Sequence, residues 1–394
     1  MEKENNELLT LKKMQKQKEK KKKNTKYDCL THLPILIILF LISCIFYIIL
    51  NKFIKIEIKI ERKLTKKQKN LKIGVISVRH DINVGNFLLK YAISKVLSNL
   101  GFTPYIIGTH YNNYNLSFLN KTTNLVVIKK NFSEIKRDDY DILMVNSDQI
   151  WRKFDEHYYD YAFLKFAENW NIKKFAYGAS LGYDFWTLSK QDEEVAKRLL
   201  KNFTGISIRE EGSVKLIQEH LNITPEVVLD PTLLIDKQNY IDLIKNYSNG
   251  VFNSSENYIF LYKAFGFPTV DSFAKDAAKE LNYNIYTIEV NKNTVIEDFI
   301  YSIINCKAVI SNSFHGTIFS LLFNKPFITI NARFNGAERL KSLGKLFGVE
   351  NRIITENSKE AITLLKTPLN VDLSVIDELK NKSMNFLKKN LDLI

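Results

Sequence analysis

The sequence has little cysteine. Its 394 residues include three, Cys29, Cys44 and Cys306, and Cys44 lies inside an apolar run. There is no CxxC or comparable metal spacing, and these thiols form no disulfide framework. The pattern suits a cytosolic enzyme, and equally a large lumenal enzyme without disulfides. No short-period repeat is present, which argues against a solenoid or propeller. A basic stripe is also missing from most of the chain. The formal charge is +14, but residues 1–70 carry +11 of it and residues 71–394 only +3. A nearly balanced globular part lacks the footprint of a nucleic-acid binder.

One long hydrophobic run is present. Leu33 to Leu50, LPILIILFLISCIFYIIL, holds 18 residues without a charge. With Asn51 to Ile54 it reaches the roughly 20 residues a membrane helix needs. A cleaved signal would have a shorter apolar region nearer the N-terminus and a small-residue cleavage site. The reading is therefore a single-pass span at 33–54, behind a lysine-rich tail at 1–32 that cannot bury a core. A basic stalk at 55–70 follows. Ten lysines precede the run and eight Lys/Arg follow it, so the charge balance points narrowly to a cytoplasmic N-terminus.

From Leu71 onward, short apolar runs alternate with amphipathic stretches. LKIGVISV, PYIIGT, YDILMV, KFAYGASLG, GISIRE and EVVLDPTLLI read as strands, the last ending at Pro231. NFLLKYAISKVLSNLG, LSKQDEEVAKRLLKNF and GSVKLIQEHL read as helices. The polar stretch YSNGVFNSSEN marks a boundary, and a second alternating series follows it. Strands alternating with helices imply parallel sheets with right-handed crossovers. The expected architecture is α/β, with two Rossmann-like domains at 71–248 and 249–394 facing a cleft in the GT-B manner.

Ligands of open α/β sheets bind beyond the carboxyl ends of the strands. Four polar turns are predicted there. His80 to Asn86 opens a helix, and Gly85 permits close backbone approach. Asn146 to Trp151 offers Ser147 and Asp148 as caps and Gln149 as an amide. Ser207 to Glu210 carries Arg209, suited to a carboxylate or phosphate, with Leu229 to Thr232 on the next strand. Ser311 to Phe327 places capping residues Ser311, Asn312 and Ser313 before a helix beginning near Gly316, with Thr317 in its first turn. His315 would then sit beside a positive helix terminus, where a bound anion raises its pKa. Taken singly, each turn also fits an ordinary capped loop.

Together the turns resemble the polysaccharide pyruvyl transferase family. The residues that carry the resemblance are Asn83-Val84-Gly85-Asn86, Ser147-Asp148-Gln149-Ile150-Trp151, Arg209-Glu210, Leu229-Asp230-Pro231-Thr232, Ser313-Phe314-His315-Gly316 and Lys325-Pro326-Phe327. Arg339 opens a further matching segment. Asn146 departs from the pattern, standing where the family has glycine. Either its side chain crowds the turn or it adopts a positive φ as glycine does.

The resemblance implies a transferase of glycan biosynthesis that uses phosphoenolpyruvate as donor and needs no further cofactor or metal. The acceptor would be a glycan or a lipid-linked sugar. It implies His315 as the general acid and makes Asp148 a candidate to activate the sugar hydroxyl. Arg209, Arg333, Arg339 and Lys263 become candidate anion ligands. Gly85, Asn86, Ser147, Gln149, Ser313, Gly316 and Thr317 would complete the substrate site. Two rival readings fit the same fold: a glycosyltransferase using a nucleotide sugar, and a membrane-tethered carbohydrate-binding protein.

Overall fold

A computed structural model describes residues 46–47, 52, 71–77, 83–108, 113–127, 131–153, 155, 157–245, 257–264, 268–291, 293–331, 337–356, 358–371 and 373–394. The basic tail, the stalk and all of the apolar run except Phe46 and Tyr47 lie outside these residues, as does the boundary at 246–256. Among the described residues no helix is long and apolar enough to cross a membrane.

Residues Gln68–Ile394 form one compact unit. Its strands are β1 (Lys72–Ile76), β2 (Thr103–Gly108), β3 (Asn124–Val127), β4 (Ile142–Val145), β5 (Lys173–Ala179), β6 (Gly205–Ile208), β7 (Glu226–Val227), β8 (Tyr258–Lys263), β9 (Asn284–Glu289), β10 (Ala308–Ser311), β11 (Phe327–Ile330) and β12 (Ile353–Ile354). Its helices are α1 (Val84–Asn99), α2 (Asn113–Thr122), α3 (Tyr158–Phe163), α4 (Lys190–Leu200), α5 (Val214–Leu221), α6 (Lys237–Leu243), α7 (Pro268–Leu281), α8 (Ile296–Asn305), α9 (Phe314–Leu322), α10 (Ala337–Phe347), α11 (Lys359–Leu364) and α12 (Leu373–Asn390).

Two wholly parallel sheets result. The first runs β3-β2-β1-β4-β5-β6-β7 and the second β12-β11-β10-β8-β9. Their central strands are continuous apolar runs because helices cover both faces; β4 and β10 are buried at every position. In each sheet the strand order reverses at one point, between β1 and β4 in the first and between β8 and β10 in the second. A crevice opens at such a reversal, because the connections on its two sides leave in opposite directions.

Local chemistry explains the element ends. Asn83 caps α1 by accepting from the Gly85 N–H at 2.9 Å. Gly101, at φ 93°, closes the same helix. Ser189 and Asp192 form a reciprocal capping box on α4. One apolar core joins the two sheets, with Phe87 and Leu88 of α1 in the same buried cluster as Phe299 of α8 and Phe319 of α9. The last helix returns to the first sheet. Phe386 of α12 packs on Phe175 and Tyr177, and Ser383 Oγ accepts from the Leu229 N–H at 2.9 Å.

One predicted strand is much shorter than expected. Only Glu226 and Val227 of EVVLDPTLLI pair in the sheet. Pro231 lacks an N–H to continue the ladder. Asp230 instead caps a short 3-10 turn, accepting from the Thr232 N–H at 3.0 Å.

Candidate functional site

The reversal points of the two sheets meet at two contacts. The ring of His315, in the first turn of α9, lies against the backbone of Gly85 in the first turn of α1. The Tyr262 hydroxyl at the end of β8 donates to Asn83 Oδ1 at 3.2 Å. Sequence reasoning expected close approach at Gly85, and the approaching group is the histidine. Gly316 is needed for a similar reason: a Cβ there would lie 2.3 Å from Ser311 Oγ.

Arg209 is the hub of the site. Its Nη1 donates to Asp230 Oδ2 at 2.6 Å and its Nη2 to Asp148 Oδ1 at 3.1 Å. Its guanidinium lies 4.1 Å from the centroid of Phe314. Arg339, on α10, approaches the same ring at 5.5 Å and Asp148 Oδ1 at 3.5 Å. Glu210 Oε2 lies 3.9 Å from Arg209 Nε, and its Oε1 accepts from the Ser180 hydroxyl. His315 Nε2 lies 3.9 Å from Asp230 Oδ2. Asp230 is held in place from behind, since the Leu229 carbonyl accepts from the Tyr177 hydroxyl and the Leu229 N–H donates to Ser383.

Burial and charge oppose one another here. Burial pushes the Asp148 carboxyl up, but Arg209, His315 and Arg339 outweigh it and bring the pKa down to about 2. Burial disfavours the charge on Arg209, yet Asp148, Asp230 and Glu210 hold its pKa above the ordinary value. Arg339 falls to about 10, through burial first and the like charge of Arg209 second. It remains a cation at neutral pH. Burial raises Glu210 and lowers His315. His315 is therefore a neutral imidazole near pH 7.

Several buried polar atoms at this place have no hydrogen-bond partner: Arg209 Nε, Arg339 Nε, His315 Nε2, Glu210 Oε2 and Asn86 Oδ1. Unsatisfied groups converging on one site point to a ligand rather than to packing. Beside them is a cavity of about 240 Å³, lined by Arg209, Asp230, Phe314, Arg339, Leu229 and Leu343 among others. The chemistry available is anion binding by two guanidiniums, with a buried imidazole close by to move a proton.

Other expected residues take different places. Thr317 faces β11, bonding to Thr329 Oγ1 at 2.7 Å and to the Ser313 carbonyl at 3.0 Å. Ser313 is the N-cap of α9 but makes no side-chain cap bond. Ser311 Oγ accepts from the Ser313 N–H at 3.0 Å, and Asn312 Oδ1 accepts from the Ala264 N–H at 2.8 Å. Lys263 is held by Asp271 at 3.0 Å and Glu289 at 3.0 Å. Ser147 Oγ donates to the Gly178 carbonyl at 2.8 Å. Gln149 Oε1 accepts from Arg152 Nη1 at 2.9 Å. Ser147 and Asp148 cap no helix, because a turn and not a helix follows them. Trp151 is a core residue, its indole donating to the Ala162 carbonyl at 3.1 Å. Arg333 lies outside the described residues.

Asn146 is absent from the positive-φ residues; the left-handed member of its turn is Asp148, at φ 82°. The Asn146 amide is fully buried and donates to Ser77 Oγ at 3.1 Å. Three participants were not picked out from the sequence as site residues: Asp230, Glu210 and Phe314. All three carried a signal, since they stand in the quoted Leu229-Asp230-Pro231-Thr232, Arg209-Glu210 and Ser313-Phe314-His315-Gly316 motifs.

Comparison with known proteins adds a family and a fold. A family model described as polysaccharide pyruvyl transferase matches residues 83–332. No curated protein matches the sequence. The solved UDP-GlcNAc 2-epimerase of Neisseria meningitidis bound to UDP-GlcNAc is similar in structure, with 12% identity and a TM-score of 0.52, covering 81% of this chain and 100% of that one. The S. aureus MnaA–UDP co-structure has 13% identity and a TM-score of 0.51, covering 83% and 98%. At such identities the likeness is one of fold, an α/β architecture with GT-B-like neighbours.

Proposed function

The chain belongs to the polysaccharide pyruvyl transferase family, a family of transferases acting on polysaccharides, and from that premise we propose that its donor is phosphoenolpyruvate. The pyruvyl group goes to two hydroxyls of one glycan sugar as a cyclic ketal, and phosphate is released. The observation that best supports this reading is the buried convergence of Arg209, Arg339 and His315, each with an unpartnered ring or guanidinium nitrogen. The donor carries a carboxylate and a phosphate, and guanidiniums pair well with both. The N-terminus of α9 adds a favourable dipole.

His315 acts in two stages. It begins neutral because burial keeps it so. A highly anionic donor raises its proton affinity, and it takes up a proton. It gives that proton to C3 of the donor, so the methylene becomes methyl and C2 gains oxocarbenium character. A sugar hydroxyl bonds to C2 and yields its proton to the imidazole, now neutral again. Phosphate leaves with the electrons of its bond to C2. The second hydroxyl closes the ketal, and its proton leaves on phosphate. C3 gains a hydrogen while C2 gains a second bond to oxygen, so the changes at the two carbons cancel and the scheme needs no external oxidant or reductant. Asp148, at about 2, is a weak base, and its contacts suit it to hold Arg209 and Arg339 in place.

The uncharged run at 33–50 supports a single-pass anchor with a cytoplasmic N-terminus. An anchored enzyme of this kind would act on a lipid-linked or secretory-pathway glycan. The test is calorimetric titration of the full chain in detergent with phosphoenolpyruvate, with UDP-galactose as control. Phosphate release is then measured with galactose- and mannosamine-type acceptors. Binding of phosphoenolpyruvate alone, followed by acceptor-dependent phosphate release, is the expected result. Binding of the nucleotide sugar alone would overturn the reading in favour of a glycosyltransferase.

A further inference from the structure

Beyond the charged hub, the loops after β4 and β5 are joined. The Ser180 N–H donates to the Asp148 carbonyl at 2.9 Å, and the Trp151 N–H donates to the Ser180 carbonyl at 3.2 Å. The next residues, Leu181 to Trp186, are fixed at both ends. Gly182 has φ 75°, and a Cβ there would lie 2.7 Å from Gln149 Oε1. Trp186 stacks on His220 with centroids 4.3 Å apart and planes 5° apart, and His220 Nδ1 lies 2.9 Å from Glu193.

Between these anchors the chain presents two aromatic rings. Tyr183 and Phe185 have centroids 5.2 Å apart. The guanidinium of Arg152 lies 4.5 Å from the Tyr183 centroid, and the same side chain bonds Gln149. Phe185 is 58% exposed, and among the described residues of the Gln68–Ile394 unit only Ile394 is another large hydrophobic so open. A large aromatic side chain paired with a second ring and held open on a braced loop that begins at the Ser180–Asp148 backbone bond suggests recognition rather than packing.

We propose that Tyr183 and Phe185 form the platform for a pyranose ring of the acceptor glycan, a sugar unit flanking the one that reacts. The inference rests on the family's action on polysaccharides and extends the proposed site outward from Asp148. A pyranose has an apolar face of C–H groups and a rim of hydroxyls. Phe185 offers its exposed ring for that face, with Tyr183 packed against it at an interplanar angle of 31°, and Arg152 and Gln149 offer N–H donors for the rim. The occupant proposed is a neutral oligosaccharide, in keeping with the family's action on polysaccharides.

The experiment uses the full chain in detergent, as wild type, Phe185→Ala and the double variant Tyr183→Ala/Phe185→Ala. Binding of mannan, galactan and N-acetylmannosamine oligosaccharides is measured by calorimetry, alongside phosphoenolpyruvate binding and sedimentation. The expected result is that at least one oligosaccharide binds wild type and binds the double variant about tenfold more weakly, with donor affinity and oligomeric state unchanged. Equal oligosaccharide binding by both proteins would overturn the proposal. So would failure of wild type to bind any oligosaccharide, or a variant that loses self-association in place of sugar. Loss of sugar binding in a protein that never binds phosphoenolpyruvate would keep this platform and reject the donor assignment.

Discussion

The imidazole of His315 rests on the backbone of Gly85, so closely that a Cβ on the glycine would lie 2.1 Å from both Cγ and Nδ1. The φ of Gly85 is not left-handed, so the requirement for glycine is steric and not conformational. Gly85→Ala should therefore fold and still displace the ring. A shift of about 1 Å in a group that transfers a proton can cost about 100-fold in turnover. Phosphate release should fall by that order, and the melting temperature should fall too, because the new Cβ also lies 2.6 Å from the buried His315 Cβ and such overpacking costs about 1–3 kcal/mol. An alanine variant within twofold of wild-type turnover would sink the idea that this contact positions His315.

The protonation of His315 leaves a mark on stability. Its folded pKa lies below the ordinary 6.5, with burial the largest cause. The unfolded chain thus binds more protons than the folded protein as pH falls through that value, and stability must decline in the same direction. This contribution is fully present above 6.5 and is lost toward lower pH. Asp148 does not interfere, because its contribution is lost only as pH falls from 3.8 toward about 2. In urea unfolding between about pH 7.5 and 5.5, wild type should lose stability more steeply than His315→Gln, by up to about 1.4 kcal/mol per pH unit. Parallel profiles would show that the histidine is not held neutral.

Arg209 spans Asp230 and Asp148 with two different nitrogens, at 2.6 and 3.1 Å. A lysine has one ammonium and cannot reproduce that fork. Arg209→Lys should take the nearest cation from one buried carboxylate, leaving Asp148 only the longer contact with Arg339 or Asp230 only its bonds from Thr232, and breaking such a buried pair costs up to about 3–5 kcal/mol. Denaturant midpoints would reveal it. A midpoint unchanged from wild type would mean that the carboxylates find other donors and that Arg209 is not the hub described above.

The architecture was legible where the physics is local. β4 is an unbroken apolar run, and β1, β8 and β10 carry a charged or hydroxyl residue only at one end, but the strand order, and with it both reversal points, is set by tertiary pairing. The four turns were legible too, because glycine, asparagine and charged residues at strand ends have few other uses. What escaped depends on distant pairing. Nothing local in EVVLDPTLLI says that pairing stops at Val227, since Tyr177 and Ser383 decide where Leu229 sits and so aim Asp230. Thr317 looked like an anion ligand from its place in the first turn, but its hydroxyl turns toward Thr329 on β11. Lys263 stands at a strand end as expected, and two carboxylates from α7 and β9 hold it there.

Asn146, where the family pattern has glycine, allows a sharper test. Its backbone is not left-handed, so glycine would gain nothing conformationally there. Its amide donates to Ser77 Oγ at 3.1 Å, while its Oδ1 is buried without a partner. Asn146→Gly removes one hydrogen bond and one unsatisfied acceptor together, and these changes offset each other. The added backbone freedom of glycine costs about 0.5–1 kcal/mol. Stability should therefore fall by about 1 kcal/mol or less, and turnover should stay within about threefold of wild type, a difference under 1 kcal/mol in the barrier. A gain of tenfold or more in turnover would mean that asparagine crowds the turn and that the left-handed Asp148 beside it is held off its productive position.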